Sequence, residues 1–144
     1  MATPSNPSFA PPGIIGEVVS SSILSGNAVS LSTGVPANIT SIILKAGDWN
    51  VCGRIGFVLN ALTAVTSTSV SINTTSATLA LGSDVSGTIC SLPISLAVGS
   101  SPILNVGYFP VSINSDTTFY LITSVDFSVS TASAYGVIWA RRKG

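Results

Sequence analysis

Trp49-Asn50-Val51-Cys52-Gly53-Arg54-Ile55-Gly56-Phe57-Val58 decides how this chain folds. Read alternately, Trp49, Val51, Gly53, Ile55 and Phe57 fall on one row and Asn50, Cys52, Arg54, Gly56 and Val58 on the other. Successive side chains of an extended backbone point to opposite faces, so a bulky apolar row beside a mixed one marks a half-buried β-strand. The first row is for a core.

Working outward, the same period recurs from Glu17 to the C-terminus, with β-branched residues dominant and turn residues between the runs. It predicts strands over 17–24, 28–32, 38–44, 48–59, 69–73, 88–92, 104–114, 117–129 and 133–141, and no helix. Gly26-Asn27, Lys45-Ala46-Gly47 and Asn114-Ser115-Asp116 supply breaks between them. In the last two strands both rows carry apolar residues: Phe119, Leu121, Val125 and Phe127 alternate with Tyr120 and Ile122, and Tyr135, Val137 and Trp139 alternate with Ala134, Ile138 and Ala140. A strand that is apolar on two sides is covered on two sides, and the commonest cover for a small β domain is another copy. Eight or nine strands with irregular connections fit an all-β fold, a two-sheet antiparallel jelly-roll-like sandwich. Residues 73–101, rich in Ser, Gly and Thr, read as loops with one or two short strands.

Four of the eight prolines, Pro4, Pro7, Pro11 and Pro12, lie in the first 13 residues. Proline fixes φ and removes a donor, so residues 1–16 are expected to form an extended N-terminal arm, disordered in isolation, ahead of a jelly-roll domain over 17–144. Such an arm, with Phe9 as its one aromatic residue, is suited to lying on a neighbouring subunit or another docking partner.

Charge is scarce. Five basic and five acidic residues make up 7% of the 144, against about 25% in an ordinary soluble domain. Residues 18–44, 55–83 and 85–115 carry no charge at all. Each of these stretches is nevertheless broken every second or third position by Ser, Thr, Asn or Gly, which excludes the run of about 20 apolar residues that a spanning helix needs. The turns are too closely spaced for the strands of an outer-membrane barrel. The expectation is no membrane insertion. The first residues lack the basic start and apolar run of a signal peptide, so synthesis is expected to end in the cytoplasm. There, Asn38-Ile39-Thr40 and Asn73-Thr74-Thr75 read as chance sequons, and Cys52 and Cys90 as reduced, small, buried hydrophobes.

The residue inventory argues against chemistry. The chain has no His, the usual general base and metal ligand. Glu17, Asp48, Asp84, Asp116 and Asp126 are scattered singly, mostly at turns, where Asp accepts backbone hydrogen bonds. Gly82-Ser83-Asp84-Val85-Ser86-Gly87 matches neither a nucleophile elbow nor a phosphate loop and reads as a turn. Two cysteines without His do not make a zinc site. The reading is therefore no enzyme, no catalytic residue, no cofactor and no metal.

Two features remain for recognition. Trp49 and Trp139 lie on apolar strand rows and read as core, while Tyr108, Tyr120 and Tyr135 at strand edges are better placed for any ligand, such as a glycan. The terminal Arg141-Arg142-Lys143 is too small a basic cluster, in a chain of zero net charge, to signal nucleic acid. Residues 1–140 balance at −3, so these three charges either face water or pair with carboxylates of a neighbouring subunit and fix register there. The candidate assembly and docking residues are Pro4, Pro7, Phe9, Pro11, Pro12, Arg141, Arg142 and Lys143.

The stretch 39–57, with Ala46-Gly47-Asp48-Trp49 turning into the long strand, together with 117–122 and the Ser133-Ala134-Tyr135-Gly136 to Ala140-Arg141-Arg142 strand, resembles small proteins encoded among bacteriophage structural genes. The layout is more loosely similar to jelly-roll trimers of the complement C1q and tumour-necrosis-factor type. The resemblance implies a non-enzymatic virion protein made in the host cytoplasm. It would be a homo-oligomer, a trimeric capsid decoration or cement protein held through its arm to the major capsid protein or another virion protein. The alternative it implies is a tail or head fibre tip, a receptor-binding domain recognising a host surface glycan.

Overall fold

A computed structural model describes residues 10–80, 87–92, 95–98 and 100–144. Nine strands follow in chain order: β1 (Val18–Ile23), β2 (Val29–Ser30), β3 (Ala37–Leu44), β4 (Gly47–Leu59), β5 (Ala64–Asn73), β6 (Thr88–Leu92), β7 (Ile103–Ile113), β8 (Thr117–Ser128) and β9 (Ala132–Arg142). The break at Gly26-Asn27 is a single 3-10 turn, Ser25–Asn27, that divides β1 from β2. Both of these pair with β9, so they act as one interrupted strand.

The pairing is nested. β1 and β2 pair with β9, β3 with β8, β4 with β7 and β5 with β6, each antiparallel, as if one long hairpin had been wrapped into a barrel. Cross-pairing of β4 with β9 and of β5 with β8 then closes two sheets, β1-β9-β4-β7 with β2 beside β9, and β3-β8-β5-β6. That order defines a jelly roll, the all-β sandwich expected from the periodicity. The sheets also touch at the side where Ser21 Oγ and Thr40 Oγ1 share a hydrogen bond of 2.6 Å.

Trp49, Val51, Ile55 and Phe57 of β4 face Ile42 and Leu44 of β3, Val70 and Ile72 of β5, and Phe119, Leu121 and Val125 of β8 across the core. The expected core row of β4 is the observed one. In β9 the rows are inverted relative to expectation: Ala134, Ile138 and Ala140 are buried, while Tyr135, Val137 and Trp139 lie on the outside, half-buried. Register supplies the reason. Ala140 stands opposite Val51, Gly136 opposite Ile55 and Ala134 opposite Phe57, whereas the larger Ile138 stands opposite Gly53. Because β4 already fills the layer from Val51 to Phe57, β9 contributes small side chains opposite the bulky residues of that stretch.

β5 begins five residues earlier than the pattern predicts, at Ala64. A bulge between Val65 and Ser67 shifts the phase, so inward residues fall at 65, 68, 70 and 72 and the alternation is hidden. The two-sided apolar character of β8 also has a local cause. Residues 76–80 return over the outer face of the four-stranded sheet. Ala80 N donates to Ser71 Oγ, Ala77 N to Asn38 Oδ1, and Asn73 Nδ2 to Thr78 O. Asn38 and Ser71 flank Ile122 in register, and Ile122 is fully buried beneath this segment. The chain itself covers β8 at Ile122, the apolar residue of that outward row.

Pro4, Pro7 and Phe9 of the arm, and the Gly82–Ser86 stretch with Asp84, lie outside the described residues. Residues 10–16 differ from the extended course expected of them: Ile14 N donates to Pro11 O at 3.1 Å and Glu17 N to Ile14 O at 3.0 Å, forming two consecutive turns.

Candidate functional site

Strand alternation separates Arg141 from Arg142 at the end of β9, and Lys143 follows beyond the strand. Arg142 is in register with Trp49 and points inward. Its Nε donates to Glu17 Oε2 at 2.9 Å, its Nη1 donates to Ala46 O at 2.9 Å, and its guanidinium lies 4.4 Å from the centre of the Trp49 ring. The residue is 7% exposed. Glu17 Oε2 also accepts from Gly13 N at 2.7 Å. Burial alone would push the Glu17 carboxyl up, but the Gly13 hydrogen bond and Arg142 together hold it below the usual range. Arg141 points outward and is exposed, opposite Asn50. Lys143 is exposed, with its backbone N–H bonded to Asp48 O at 2.7 Å. Pro11 and Pro12 are exposed at the first turn of residues 10–16.

The motifs behind the phage resemblance thus meet in space. Ala46 and Trp49 hold Arg142, and Gly47, at φ +144°, leaves room for it: a Cβ there would overlap Arg142 Nη1. These residues form a latch between the chain ends, and their role is structural.

The outer face of the five-stranded sheet is different in kind. Large groups stand over small ones: Tyr135 is in register with Gly56, where a Cβ would collide with its ring, and Trp139 with Cys52. β7 carries a bulge, Val51 pairing with Phe109 and Gly53 with Val106, so Gly107 and Tyr108 together oppose Cys52. The extra residue turns Tyr108 to solvent, 65% exposed. Two open hollows result. One, of about 530 Å³, is lined by Leu24, Gly56, Ile103 and Tyr135; the other, of about 680 Å³, by Ser20, Asn50, Tyr108, Trp139 and Arg141. Arg54 lines both and stands between them.

No side-chain polar atom of Asn50, Arg54, Tyr108, Tyr135, Trp139 or Arg141 is hydrogen-bonded to another of the described residues. On the opposite sheet several outward polar groups are tied to one another: Ser67 Oγ donates to Asp126 Oδ2 at 2.5 Å, Ser69 and Ser91 share a bond of 2.8 Å, and Ser71, Asn73 and Asn38 hold the returning segment. Part of one face is tied by its own hydrogen bonds, and the other offers aromatic rings and guanidinium groups held on strands.

The sequence reading missed Trp139 and Arg54 as members of this face. Trp139 reads as core because it stands on an apolar row of β9, but both rows of that strand are apolar and alternation alone does not choose between them. The signal available was Gly53 among bulky neighbours in β4, which calls for one large residue opposite it. Tyr108 and Tyr135, favoured for ligand contact, do lie on this face. Tyr120 lies on the other, in register with Ser41 and Asn73.

The linings of the two hollows hold aromatic rings, amides, hydroxyls and guanidinium groups, with no carboxylate or thiol. Cys52 is buried, and that burial raises its thiol pKa, away from a reactive thiolate. Among the described residues no three His, Cys, Asp or Glu side chains gather as a metal site.

No family model matches the sequence, and no curated protein matches it in sequence. Among solved structures, the fold is similar to that of the infectious bursal disease virus VP2 subviral particle, at 16% identity and a TM-score of 0.49 over 88% of this chain. The chain spans 30% of the length of that protein. A likeness of that size decides neither function nor partner.

Proposed function

We propose that this chain is a non-enzymatic structural component of a virus particle, displayed on the particle surface. The observation that carries the reading is the contrast between the two outer faces. One is largely Ser, Thr and Asn, in part tied by its own hydrogen bonds, while the other groups Trp139, Tyr108 and Tyr135 with Arg54 and Arg141, residue types that dominate binding energy at protein surfaces. Charge poverty, a jelly roll without a catalytic constellation and the resemblance of residues 38–58 and 117–142 to phage structural proteins support it. The fold by itself does not assign the function.

In its finer form the protein is a trimeric capsid decoration or cement protein. The arm provides attachment: Pro11, Pro12 and the exposed Ile14 and Ile15 stand at its root, beside the Arg142 latch. Apolar exposure there suits docking on the major capsid protein. Labelled protein lacking residues 1–10, which leaves the Pro11 and Gly13 hydrogen bonds in place, is expected to lose attachment to particles while keeping its fold and its trimeric mass. A monomeric full-length chain that attaches to no particle would end this reading.

The open hollows favour a second reading, a fibre tip that recognises a host surface glycan. Imaging of the intact particle separates the two, since decoration places the chain across the capsid lattice and a tip places it at the end of an appendage.

A further inference from the structure

We infer that the outer face of the five-stranded sheet holds a binding site for a carboxylate-bearing sugar, centred on Trp139 between Arg54 and Arg141. The inference stands whether the chain decorates a capsid or tips a fibre.

The geometry begins with register. Arg141 stands opposite Asn50, Trp139 opposite Cys52, and Val137 opposite Arg54, so the two arginines flank the indole at equal ladder offsets. Four residues of strand separate the levels of Arg54 and Arg141, about 13 Å of backbone. Two long side chains reaching inward from those levels span a ligand of one or two sugar rings. Tyr108, re-aimed by the β7 bulge, closes the side of the same hollow.

The chemistry of the lining selects the ligand. Aromatic faces pack on the apolar C–H face of a sugar ring, and Asn50 and Ser20 supply groups for its hydroxyls. The guanidinium forks suit a carboxylate. Two like charges are held on one concave surface, and neither hollow has an acidic residue in its lining. Asp48, further along the row, accepts from Ser112 Oγ and lines a separate small hollow with Lys143. Charge complementarity therefore calls for an anion. The volume of about 680 Å³ lies within the range of small-ligand sites, about 300–1,000 Å³. Nucleic acid would ask for a denser basic surface than two arginines in a chain of zero net charge. A chain of acidic residues alone offers no C–H ring face to pack on Trp139 and Tyr108.

Rings beyond the first would cross Arg54 into the neighbouring hollow, where Tyr135 lies over Gly56.

The test is a titration of the full-length chain followed by intrinsic fluorescence, since Trp139 is half-buried on the surface and Trp49 is sealed in the core. The probes are tetragalacturonate, a chain of uronates, and sialyllactose, with a terminal carboxylate. Neutral maltotetraose and tetraglutamate, which has carboxylates but no rings, are the controls. A saturable response to either acidic sugar, at least about tenfold tighter than both controls and weakened by salt, is the expected result. Which acidic sugar binds distinguishes an internal uronate from a terminal acid. Arg54→Ala and Arg141→Ala are each expected to weaken binding about tenfold with melting temperature preserved. No saturable response by the wild-type chain to either acidic sugar at millimolar concentration overturns the inference. So does equal binding of maltotetraose or tetraglutamate, or a homo-oligomer that Arg54→Ala disperses, which would assign this face to a second copy. None of these outcomes bears on whether the chain is part of a particle.

Discussion

Arg142 Nε donates to Glu17 Oε2 at 2.9 Å and joins the two ends of the domain across 125 residues of sequence. Around that bond the backbone doubles the tie: Arg142 N donates to Glu17 O, and Gly16 N to Arg142 O, each at 2.9 Å. The pair is enclosed, with side-chain exposures of 7% and 11%, unlike the Lys45–Asp116 pair at 2.6 Å on the surface. Desolvation makes such a pair costly to form and much costlier to break on one side.

Arg142→Met is therefore expected to destabilise the chain by about 3–5 kcal/mol, because it strands a buried carboxylate. Arg141→Ala, one residue away on the outer face, should change stability by less than about 0.5 kcal/mol. The double variant Glu17→Gln with Arg142→Met should recover part of the loss. Urea denaturation monitored by circular dichroism measures all three.

Acid should open the same latch. The folded-state pKa of Glu17 is lowered, so its stabilising contribution is fully present above the ordinary carboxylate range and is lost as pH falls through the lower folded value. Wild type and Glu17→Gln are expected to differ most in unfolding free energy near neutral pH and to converge at low pH. A gap that stays constant down to the acid limit would exclude Glu17 ionisation as its source.

Gly47 is the residue that lets the latch close. At φ +144° with Arg142 Nη1 inside the space of any Cβ, Gly47→Ala adds backbone strain and displaces the guanidinium from Ala46 O. The expected cost is about 1–3 kcal/mol for the strained backbone alone. In a double cycle with Arg142→Met the two losses should be less than additive, since both act on one contact.

Much of this fold was legible as alternation. β4 reads cleanly because its core row meets small residues on β9, so nothing disturbs its period. The β5 start was hidden by the bulge at Val65, since one extra residue exchanges the faces of everything before it. The latch was half legible: Arg142 stood out as a charge, but only register with Trp49 reveals that it points inward. The outer-face site was least legible, because it is assembled from Ser20 of β1, Asn50 and Arg54 of β4, Tyr108 of β7 and Trp139 and Arg141 of β9, which only the strand pairing brings together. Tyr108 reaches it only through a bulge.

The two thiols should also report the architecture. Cys52 is buried on the outer side of β4 across from Trp139, and Cys90 is half-buried on β6 against the core. Burial raises the Cys52 pKa, which lowers its thiolate fraction at neutral pH. A disulfide-exchange reagent is expected to label Cys90 first and Cys52 only slowly, with both labelled fast in urea. Mass mapping of the labelled peptides checks the order, and Trp139→Ala, which uncovers Cys52, should speed its labelling.

The inverted rows of β9 make the sharpest claim about packing, because size alone argues for the opposite orientation. If Ala134 faces Phe57 in the core, Ala134→Leu inserts three carbons into a filled layer and should cost about 1–3 kcal/mol, or more where the backbone cannot shift. If Val137 lies on the outer face over Arg54, Val137→Ala removes atoms that are only half-buried and should cost less than about 1 kcal/mol. The reverse orientation demands the reverse result, with Val137→Ala leaving a cavity and Ala134→Leu tolerated. Chemical denaturation of these two variants therefore discriminates between the orientations. Acrylamide quenching adds an independent measure: Trp139→Phe should leave only the sealed Trp49, with blue-shifted emission and little quenching. Trp49→Phe should leave the quenchable Trp139.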